Sequence, residues 1–598
     1  MVSPGPRART VRPEHRSSLR AGLLDLAVLI VLTFLVWGAL GIDRGPWRDD
    51  VIFLSGSAAL GAETSGIGTL IRPLENASTR RLYFAPYTLA LTTGDPILSL
   101  QLLYGAVWLA IGLGCAWLAG ELCPRDPRLR LFAGALAICA TGDSYSMSLG
   151  SSSHNLSVLS FLIALCAAVR WIRAGRSGWL IVSAIALSSS IWHTDVALTS
   201  LCLSPLLFWL VARRERTKLT RLGWLAATWA AVVAPYAILF VRALISPASY
   251  ARSGGLVETP WMTALQRTGR SFLHNFTPWA WAFERPVFEW TPPRLSALGL
   301  WWLLAAIGTA IFMWRATARA GSPTDRPARA PELRLRLMLV ALLASMTLAV
   351  NAMYSLVQLS SNLHRTQLMS RVWVSLLLAV AAASFPFLRT KTRCRLQPGA
   401  LLAGVFVCMG ILGGLERQDY FESIWKRQRR ELRSLVAAAP AIDRSAFVIL
   451  RLPTGERGAA TYNTYLARSW MHLLYDDRSI RSRVFVTSDR GGGCRARGGA
   501  LECWDERRRR CIQEGSCEGQ RIPVDRALVL EFAPGGASYR ISDDVESIVG
   551  DAAWSHAAAY DPLSLVGSAA ELPLRSALLS ERRPLGPAFE TALGGEQR

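Results

Sequence analysis

The chain has 598 residues, of which 51% are apolar, and a formal net charge of +23 at pH 7. Apolar runs of nearly bilayer length recur from residue 23 to residue 415, which excludes a soluble globular enzyme. The cationic residues lie mostly in short segments between these runs, so the charge indicates membrane topology and predicts no nucleic-acid partner.

The N-terminal part of the chain combines a basic stretch, residues 1–22, with a long apolar run at 23–41. A basic region before an apolar core is also how cleaved signal peptides are built. This core is long, and further apolar runs follow it. We therefore predict a retained first transmembrane helix preceded by a cytoplasmic N-terminus.

Apolar runs that are long enough to cross a bilayer, or nearly so, predict about eleven transmembrane helices. They are expected near residues 23–41, 98–120, 131–149, 157–170, 179–192, 196–212, 224–244, 297–314, 337–357, 372–388 and 400–415. With the N-terminus inside, five arginine-rich loops fall on the cytoplasmic face, as the positive-inside rule requires. The same orientation puts the loops 42–97 and 245–296, and the region 416–598, on the outer face.

Residues 416–598 alternate helical and strand-like stretches and so predict a small exterior α/β domain. The helical stretches are "FESIWKRQRRELRSLVAAAP" and "TYNTYLARSWMHLLY", and the strand-like runs are "AFVILRLP", "RVFVTS" and "ALVLEFA". The glycine-rich "RGGGCRARGG" lacks the strand-to-helix context of a nucleotide-binding loop, so we predict a flexible loop there.

Four cysteines cluster in this exterior region, at Cys494, Cys503, Cys511 and Cys517. In an oxidising compartment such a group indicates two disulfides. A zinc site is the alternative, but the spacing lacks the short Cys-x-x-Cys knuckle, which favours disulfides. The sequence does not determine which cysteine pairs with which.

Two adjacent carboxylates follow the first predicted span in the stretch "DRGPWRDD". Asp49 and Asp50 lie between Trp47, a residue type that favours membrane interfaces, and the apolar "VIFL". Solvated loop acids are the ordinary interpretation of such a pair. A position beside the membrane favours a functional site, and the same loop mixes aromatic residues with cations such as Arg80 and Arg81. The loop is also long enough for two short helices on the bilayer.

With these features the chain resembles the GT-C glycosyltransferases, in an architecture like that of the membrane mannosyl- and arabinosyltransferases. The resemblance rests on the topology, on "WRDDVIF" directly after the first span, and on a long first exterior loop that ends in "RLYFAPY". It covers roughly residues 20–415 and implies sugar transfer from a polyprenyl-phosphate carrier on the outer face. It implies that Asp50 first, and Asp49 second, acts as general base on the acceptor or as metal ligand. The modest C-terminal region departs from the more elaborate domains of many members, which leaves acceptor recognition open.

Such a reaction needs a carboxylate to deprotonate the acceptor hydroxyl and cations to hold the leaving phosphate. The predicted phosphate ligands lie in the exterior loop "QLSSNLHRTQLMSR", where positive-inside statistics disfavour cations. They are Arg365 first and Arg371 second, with His364 beside them. Snorkelling to ordinary head groups is the alternative. Arg80 and Arg81 of the first loop are further donor-binding candidates.

Further candidates lie in two other segments. Asp143, in "TGDSYSMSLGSSSHN", either completes a Mg²⁺ or Mn²⁺ site with Asp50, a role that the resemblance also allows, or caps a helix end. His154 lies in the same loop. His193 and Asp195, in "IWHTDV", share a proton or a metal at a predicted tight turn, or simply form a wet turn. The sequence does not require a metal.

Three rival functions remain open: a transporter or flippase, a lipid-linked glycan polymerase or ligase, and a scaffold that presents the exterior domain. The absence of a two-fold repeat and the early acidic pair favour the transferase. We therefore predict an all-α polytopic glycosyltransferase of a bacterial plasma membrane with a small exterior α/β domain. Its expected partners are a polyprenyl-phosphate sugar, membrane lipids, and an acceptor that is a glycan, a lipid or a protein.

Overall fold

The computed structural model describes the chain from Pro13 to Leu579 with gaps. The described residues are 13–46, 49–61, 81–124, 126–140, 152–215, 219–245, 260–283, 295–320, 330–355, 368–384, 398–452, 460–461, 463–487, 492–497, 500–505, 508–509, 511, 517–533, 538–542, 562–567 and 572–579.

The described part up to residue 438 is helical. Numbered in chain order, its helices are α1 Pro13–Trp37, α2 Asp49–Gly61, α3 Ala85–Leu91, α4 Pro96–Leu122, α5 Pro127–Cys139, α6 Ser152–Ala174, α7 Ser177–His193, α8 Leu198–Glu215, α9 Leu219–Ile245, α10 Trp261–His274, α11 Pro278–Phe283, α12 Leu295–Ala320, α13 Ala330–Ser355, α14 Leu368–Ser384 and α15 Pro398–Ala438.

Eight of the described helical segments are long and apolar enough to cross a membrane, so the protein is a multi-pass membrane protein. The other three spans predicted from the sequence correspond to shorter helices: α5 with 13 residues, α7 with 17 and α14 with 17. Within the first predicted exterior loop the structure places α2 and α3, the two short helices expected there.

Local signals explain several helix starts. Asp95 precedes α4 and its carboxylate accepts the Leu98 N–H at 3.0 Å, while Pro96 occupies the first helical position. Asp126 begins α5 in the same way, accepting the Arg128 N–H at 3.1 Å. Helix α15 has 41 residues and continues without interruption past residue 416, where we placed the boundary between the spans and the C-terminal region.

The C-terminal region is a small α/β unit, as predicted. Its strands and helices are β1 Ala441–Ile442, β2 Phe447–Arg451, α16 Thr464–Tyr475, β3 Val484–Thr487, β4 Gly493–Arg497, β5 Ala500–Trp504, β6 Gln520–Ile522, β7 Ala527–Phe532, β8 Tyr539–Ile541, β9 Val566–Gly567 and α17 Pro573–Leu579. The main sheet has the order β3-β2-β7-β8, parallel except for its last pair, and β4-β5-β6 form an antiparallel sheet.

The cysteines form two disulfides, Cys494–Cys503 and Cys511–Cys517, which confirms the prediction of disulfides over zinc. The prediction that "RGGGCRARGG" forms a flexible loop is wrong, because residues 493–497 form strand β4. Cys494 and Cys503 face each other across the antiparallel pair β4–β5. Pairing across the sheet, closed by the disulfide, outweighs the low strand propensity of glycine here.

Of the three hydrophobic cores formed by the described residues, two bear on the position of Asp50. The larger core fills the membrane-spanning helices. The second core joins Val51 and Leu54 of α2 and Tyr87 of α3 to Trp425 of α15 and to Trp470 of the C-terminal region. The loop that follows α1 therefore packs on the C-terminal region as well as on the spans, which fixes the position of α2.

Candidate functional site

The chain between α1 and α2 is held against α15 by buried charges. Asp43 forms a two-pronged ion pair with Arg429, at 3.0 and 2.9 Å, and both side chains are 5% exposed. A side chain at position 45 would overlap the ring of Trp425, so only glycine lets the loop lie this close. These contacts anchor the segment "DRGPWRDD" before it reaches its two adjacent carboxylates.

Asp50, the first candidate, is 1% exposed in the first turn of α2. The positive end of the helix dipole favours a carboxylate at that position. Asp49 begins the same helix, but its side chain lies outside the described residues. The structure therefore describes the side chain of Asp50 and not that of Asp49.

Tyr87 of α3 links Asp50 to the spans. Burial raises the pKa of its phenol well above the usual value, and the nearby negative charge of Asp50 raises it further. Ser152 at the start of α6 lies beside the Tyr87 hydroxyl, and Tyr104 lies within electrostatic range of it. Tyr87 is therefore a neutral hydroxyl beside a buried carboxylate.

From Tyr104 the network continues to an arginine. The Asn155 amide donates to the Tyr104 hydroxyl at 2.6 Å, and Arg371 Nη2 donates to Asn155 Oδ1 at 3.3 Å. We call Asp50, Tyr87, Tyr104, Asn155 and Arg371 the Asp50 cluster. All five are at most 5% exposed.

Arg371 does not lie in a loop, as its prediction placed it. It is the fourth residue of α14, which begins at Leu368 because the apolar Leu368 and Met369 are themselves buried in the helical core. Its guanidinium stacks over the ring of Trp108, with Cζ 4.1 Å from the ring centroid. The position thus presents a buried cation at one end of a span.

A second buried arginine stacks on the same group of rings. Arg44 lies 4.1 Å over the ring of Trp37, and Trp37 stacks on Tyr104 at 4.6 Å and on Trp108 at 5.8 Å. Arg44 also donates to the Trp37 carbonyl. Burial lowers the pKa of Arg44 to about 10, so it remains charged at neutral pH. The aromatic stack therefore lies between two guanidinium groups.

The C-terminal region contacts the helix that carries Asp50. Ser55 of α2 and His472 Nδ1 of α16 are 2.8 Å apart in a buried hydrogen bond. Beside it, Trp425 of α15 stacks on Trp470 at 6.1 Å. Helix α2 is therefore held between the spans on one side and the α/β unit on the other.

The remaining candidates fall into two groups. Near the cluster, the His154 ring meets Tyr83 edge-on at 5.7 Å, Arg81 lies 5.1 Å over the Trp192 ring, and His193 is buried next to the short 3-10 turn that begins at Asp195. Arg80, Asp143, His364 and Arg365 lie outside the described residues. None of these roles is tested by the described geometry.

The described residues form no metal site. Among the described stretches of chain, no three His, Cys, Asp or Glu side chains gather in a way that could hold a metal ion. Asp143, the predicted partner of Asp50, is outside those stretches. A divalent cation at Asp50 and Asp143 therefore stays a prediction.

Sequence reasoning did not find Tyr104, Asn155 or Arg44. Each carried a weak signal: a hydroxyl and an amide within or beside an apolar run, and an arginine six residues before Asp50. Their partners lie on other helices, with Asn155 and Arg371 separated by 216 positions. No local pattern records such contacts.

The fold and these contacts define a mostly helical multi-pass membrane protein with a polar cluster at one end of its spans. No protein-family model matches the chain, and no curated protein matches it. The apo crystal structure of ArnT from Cupriavidus metallidurans is 12% identical, with a TM-score of 0.39 over 87% of this chain and 94% of that chain. The crystal structure of the same ArnT bound to undecaprenyl phosphate is 12% identical, with a TM-score of 0.37 over 78% and 85%. Likeness at this level does not establish a shared activity.

Proposed function

We propose that the chain is a membrane glycosyltransferase that takes a sugar from a polyprenyl-phosphate donor and transfers it to an acceptor on the outer face of a bacterial plasma membrane. The observation that supports this most is the Asp50 cluster, in which a buried carboxylate lies within electrostatic range of Tyr87, and hydrogen bonds join Tyr104 to Asn155 and Asn155 to a buried guanidinium. Buried ionisable residues at the ends of spans are expensive to maintain, which favours a functional role.

In this proposal Asp50 removes the proton from the acceptor hydroxyl, with Asp49 as the second candidate. The acceptor oxygen bonds to the anomeric carbon while the bond from that carbon to the phosphate oxygen breaks. Arg371 donates to the phosphate oxygens that gain negative charge, since a guanidinium offers two parallel donors. Tyr87, kept neutral beside Asp50, orients the carboxylate or the acceptor by donating a hydrogen bond.

The orientation is part of the proposal. Two disulfides in the C-terminal region fit an oxidising exterior, and α2 contacts that region directly. Asp50 and the disulfide-bearing unit therefore belong on the same side of the membrane. The arginine-rich loops then lie on the cytoplasmic side.

The test uses membranes that contain the wild-type chain, Asp50→Asn or Asp49→Asn, given a panel of radiolabelled polyprenyl-phosphate sugars. Loss of sugar from the donor is measured per inserted protein. We expect the wild type to consume one donor and Asp50→Asn to be slower by about 10²- to 10⁴-fold, the usual contribution of a general base. Asp443→Asn, at an exposed site in the C-terminal region, is the matched control and should keep the wild-type rate. An inserted Asp50→Asn protein that works as fast as this control would overturn the assignment.

A further inference from the structure

A cavity of about 510 Å³ lies at the other end of the spans from the Asp50 cluster. Its wall includes Asp25 and Leu26 midway along α1, Glu121 at the end of α4, and Arg130 in the first turn of α5. Tyr104 and Glu121 are seventeen residues apart on α4, which corresponds to about 25 Å along the helix. The cavity is therefore a separate site.

One side of this cavity is apolar and the other is charged. Leu26, Leu29, Leu113 and Leu131 line it between the helices, and Leu113 is 37% exposed toward the surrounding membrane. Glu121 and Arg130 sit where their helices end, and Asp25 lies midway along α1. A wall of this kind suits an amphiphile with a hydrocarbon chain and a polar head.

The acids that line the cavity already have cationic partners. Asp25 pairs with Arg315 at 2.7 Å. Glu121 pairs with Arg170 at 2.6 Å and with Arg173 at 2.9 Å. Neither carboxylate is therefore left to attract a cationic ligand.

Arg130 differs from these residues, because it has no acidic partner in the described part of the chain. It is exposed, and its guanidinium lies across Gly120, where a side chain would overlap it. With both lining acids already paired, Arg130 leaves this rim with an excess positive charge. An anionic group would neutralise that excess without displacing an existing ion pair.

We infer that this cavity binds an anionic phospholipid of the leaflet opposite to Asp50, with its phosphate at Arg130 and one acyl chain along the leucine wall. The inference rests on the cavity and its charges and does not depend on glycosyl transfer. A free phosphate ion shares the head-group chemistry but would leave the apolar wall uncovered.

The test measures lipids retained by the detergent-purified full chain in native mass spectrometry, after addition of phosphatidylglycerol or phosphatidylcholine with the same acyl chains. One arginine near the membrane surface favours an anionic lipid by about fivefold, so we expect that ratio for the wild type. Arg130→Ala should lower the ratio to about one. The matched control is Arg213→Ala, an exposed arginine on α8 that stacks on Trp209 outside the cavity, and it should keep the wild-type ratio.

A second variant tests the cavity without changing charge. Ala116 lines the cavity, and Ala116→Phe should reduce phosphatidylglycerol retention to the level of phosphatidylcholine. The inference would be overturned if Arg130→Ala, Ala116→Phe and Arg213→Ala all retained phosphatidylglycerol over phosphatidylcholine in the same ratio. It would also be overturned if inorganic phosphate gave an adduct that Arg130→Ala abolished while phosphatidylglycerol gave none.

Discussion

Replacing Arg371 separates a role in the reaction from a role in packing, because the chain supplies a closely matched partner. Arg371 and Arg44 are both buried, at 5% and 2% exposure, and both stack 4.1 Å from a tryptophan ring of the same aromatic group. Arg44 is bonded to the Trp37 carbonyl and holds a loop, whereas we assign Arg371 to the leaving phosphate. The same substitution, to methionine, should therefore have different effects at the two positions.

For Arg371→Met we expect a loss of about 10²- to 10³-fold in kcat, the size seen when one donor to a developing negative charge is removed, or about 3 kcal/mol. Arg371→Lys keeps the charge and loses the planar fork. Since one charge-assisted hydrogen bond contributes about 1.5 kcal/mol, it should lose about tenfold. Arg44→Met should instead lower the free energy of unfolding by about 2 kcal/mol through loss of a charged hydrogen bond and the ring contact.

The assay is donor consumption at saturating donor, divided by the amount of folded protein measured by thermal unfolding in detergent. The folded fraction of Arg44→Met should lose less than about tenfold in rate. Equal losses of rate in the folded fractions of the two methionine variants would refute the assignment of Arg371. So would an Arg371→Met protein that is as active as the wild type.

Two further predictions concern the C-terminal region. Ser55→Ala and His472→Ala should each lower the free energy of unfolding by about 1 kcal/mol, because each substitution removes the same buried hydrogen bond. The double variant should therefore lose less than the sum of the two single losses. Additive losses would contradict the contact. Burial alone would raise the pKa of Glu502, but hydrogen bonds from Arg495 and the Gly519 N–H hold it below its usual value. The ionised Glu502 carboxylate therefore contributes its full stabilisation above the pKa of about 4.3 that it has in the unfolded chain. This stabilisation is lost as the pH falls through the lower pKa that Glu502 has in the folded protein. Thermal unfolding between pH 5 and 3 should show a smaller pH dependence for Glu502→Gln than for the wild type.

Much of the fold could be predicted where the determinants are local. The strand-like runs at 446–453, 483–488 and 527–533 correspond to β2, β3 and β7 because their apolar periodicity is read within a few residues. The failures have longer-range causes. Strand β4 depends on its disulfide and on pairing with β5. The burial of a charged residue of α15, Arg429, likewise depends on a distant partner, Asp43.

The candidate site also contains residues that the sequence singled out and residues that it did not. Asp50 is buried in the helix that follows α1, and its role stays a prediction. Tyr104, Asn155 and Arg44 could not be predicted, because a polar residue in or beside an apolar run does not show which helix will satisfy it. Arg371 was predicted as a phosphate ligand, but its helix and its stacking on Trp108 were not.

The contact between α2 and α16 has a consequence for biogenesis. The helix that carries Asp50 is among the first segments synthesised, yet Ser55 bonds to His472, and Val51 and Leu54 pack with Trp470, more than 400 positions later. Until the late segment has folded, the apolar face of α2 lacks the part of its cover that Trp470 provides. Burial of α2, and with it the surroundings of Asp50, would thus wait for the C-terminal region to fold.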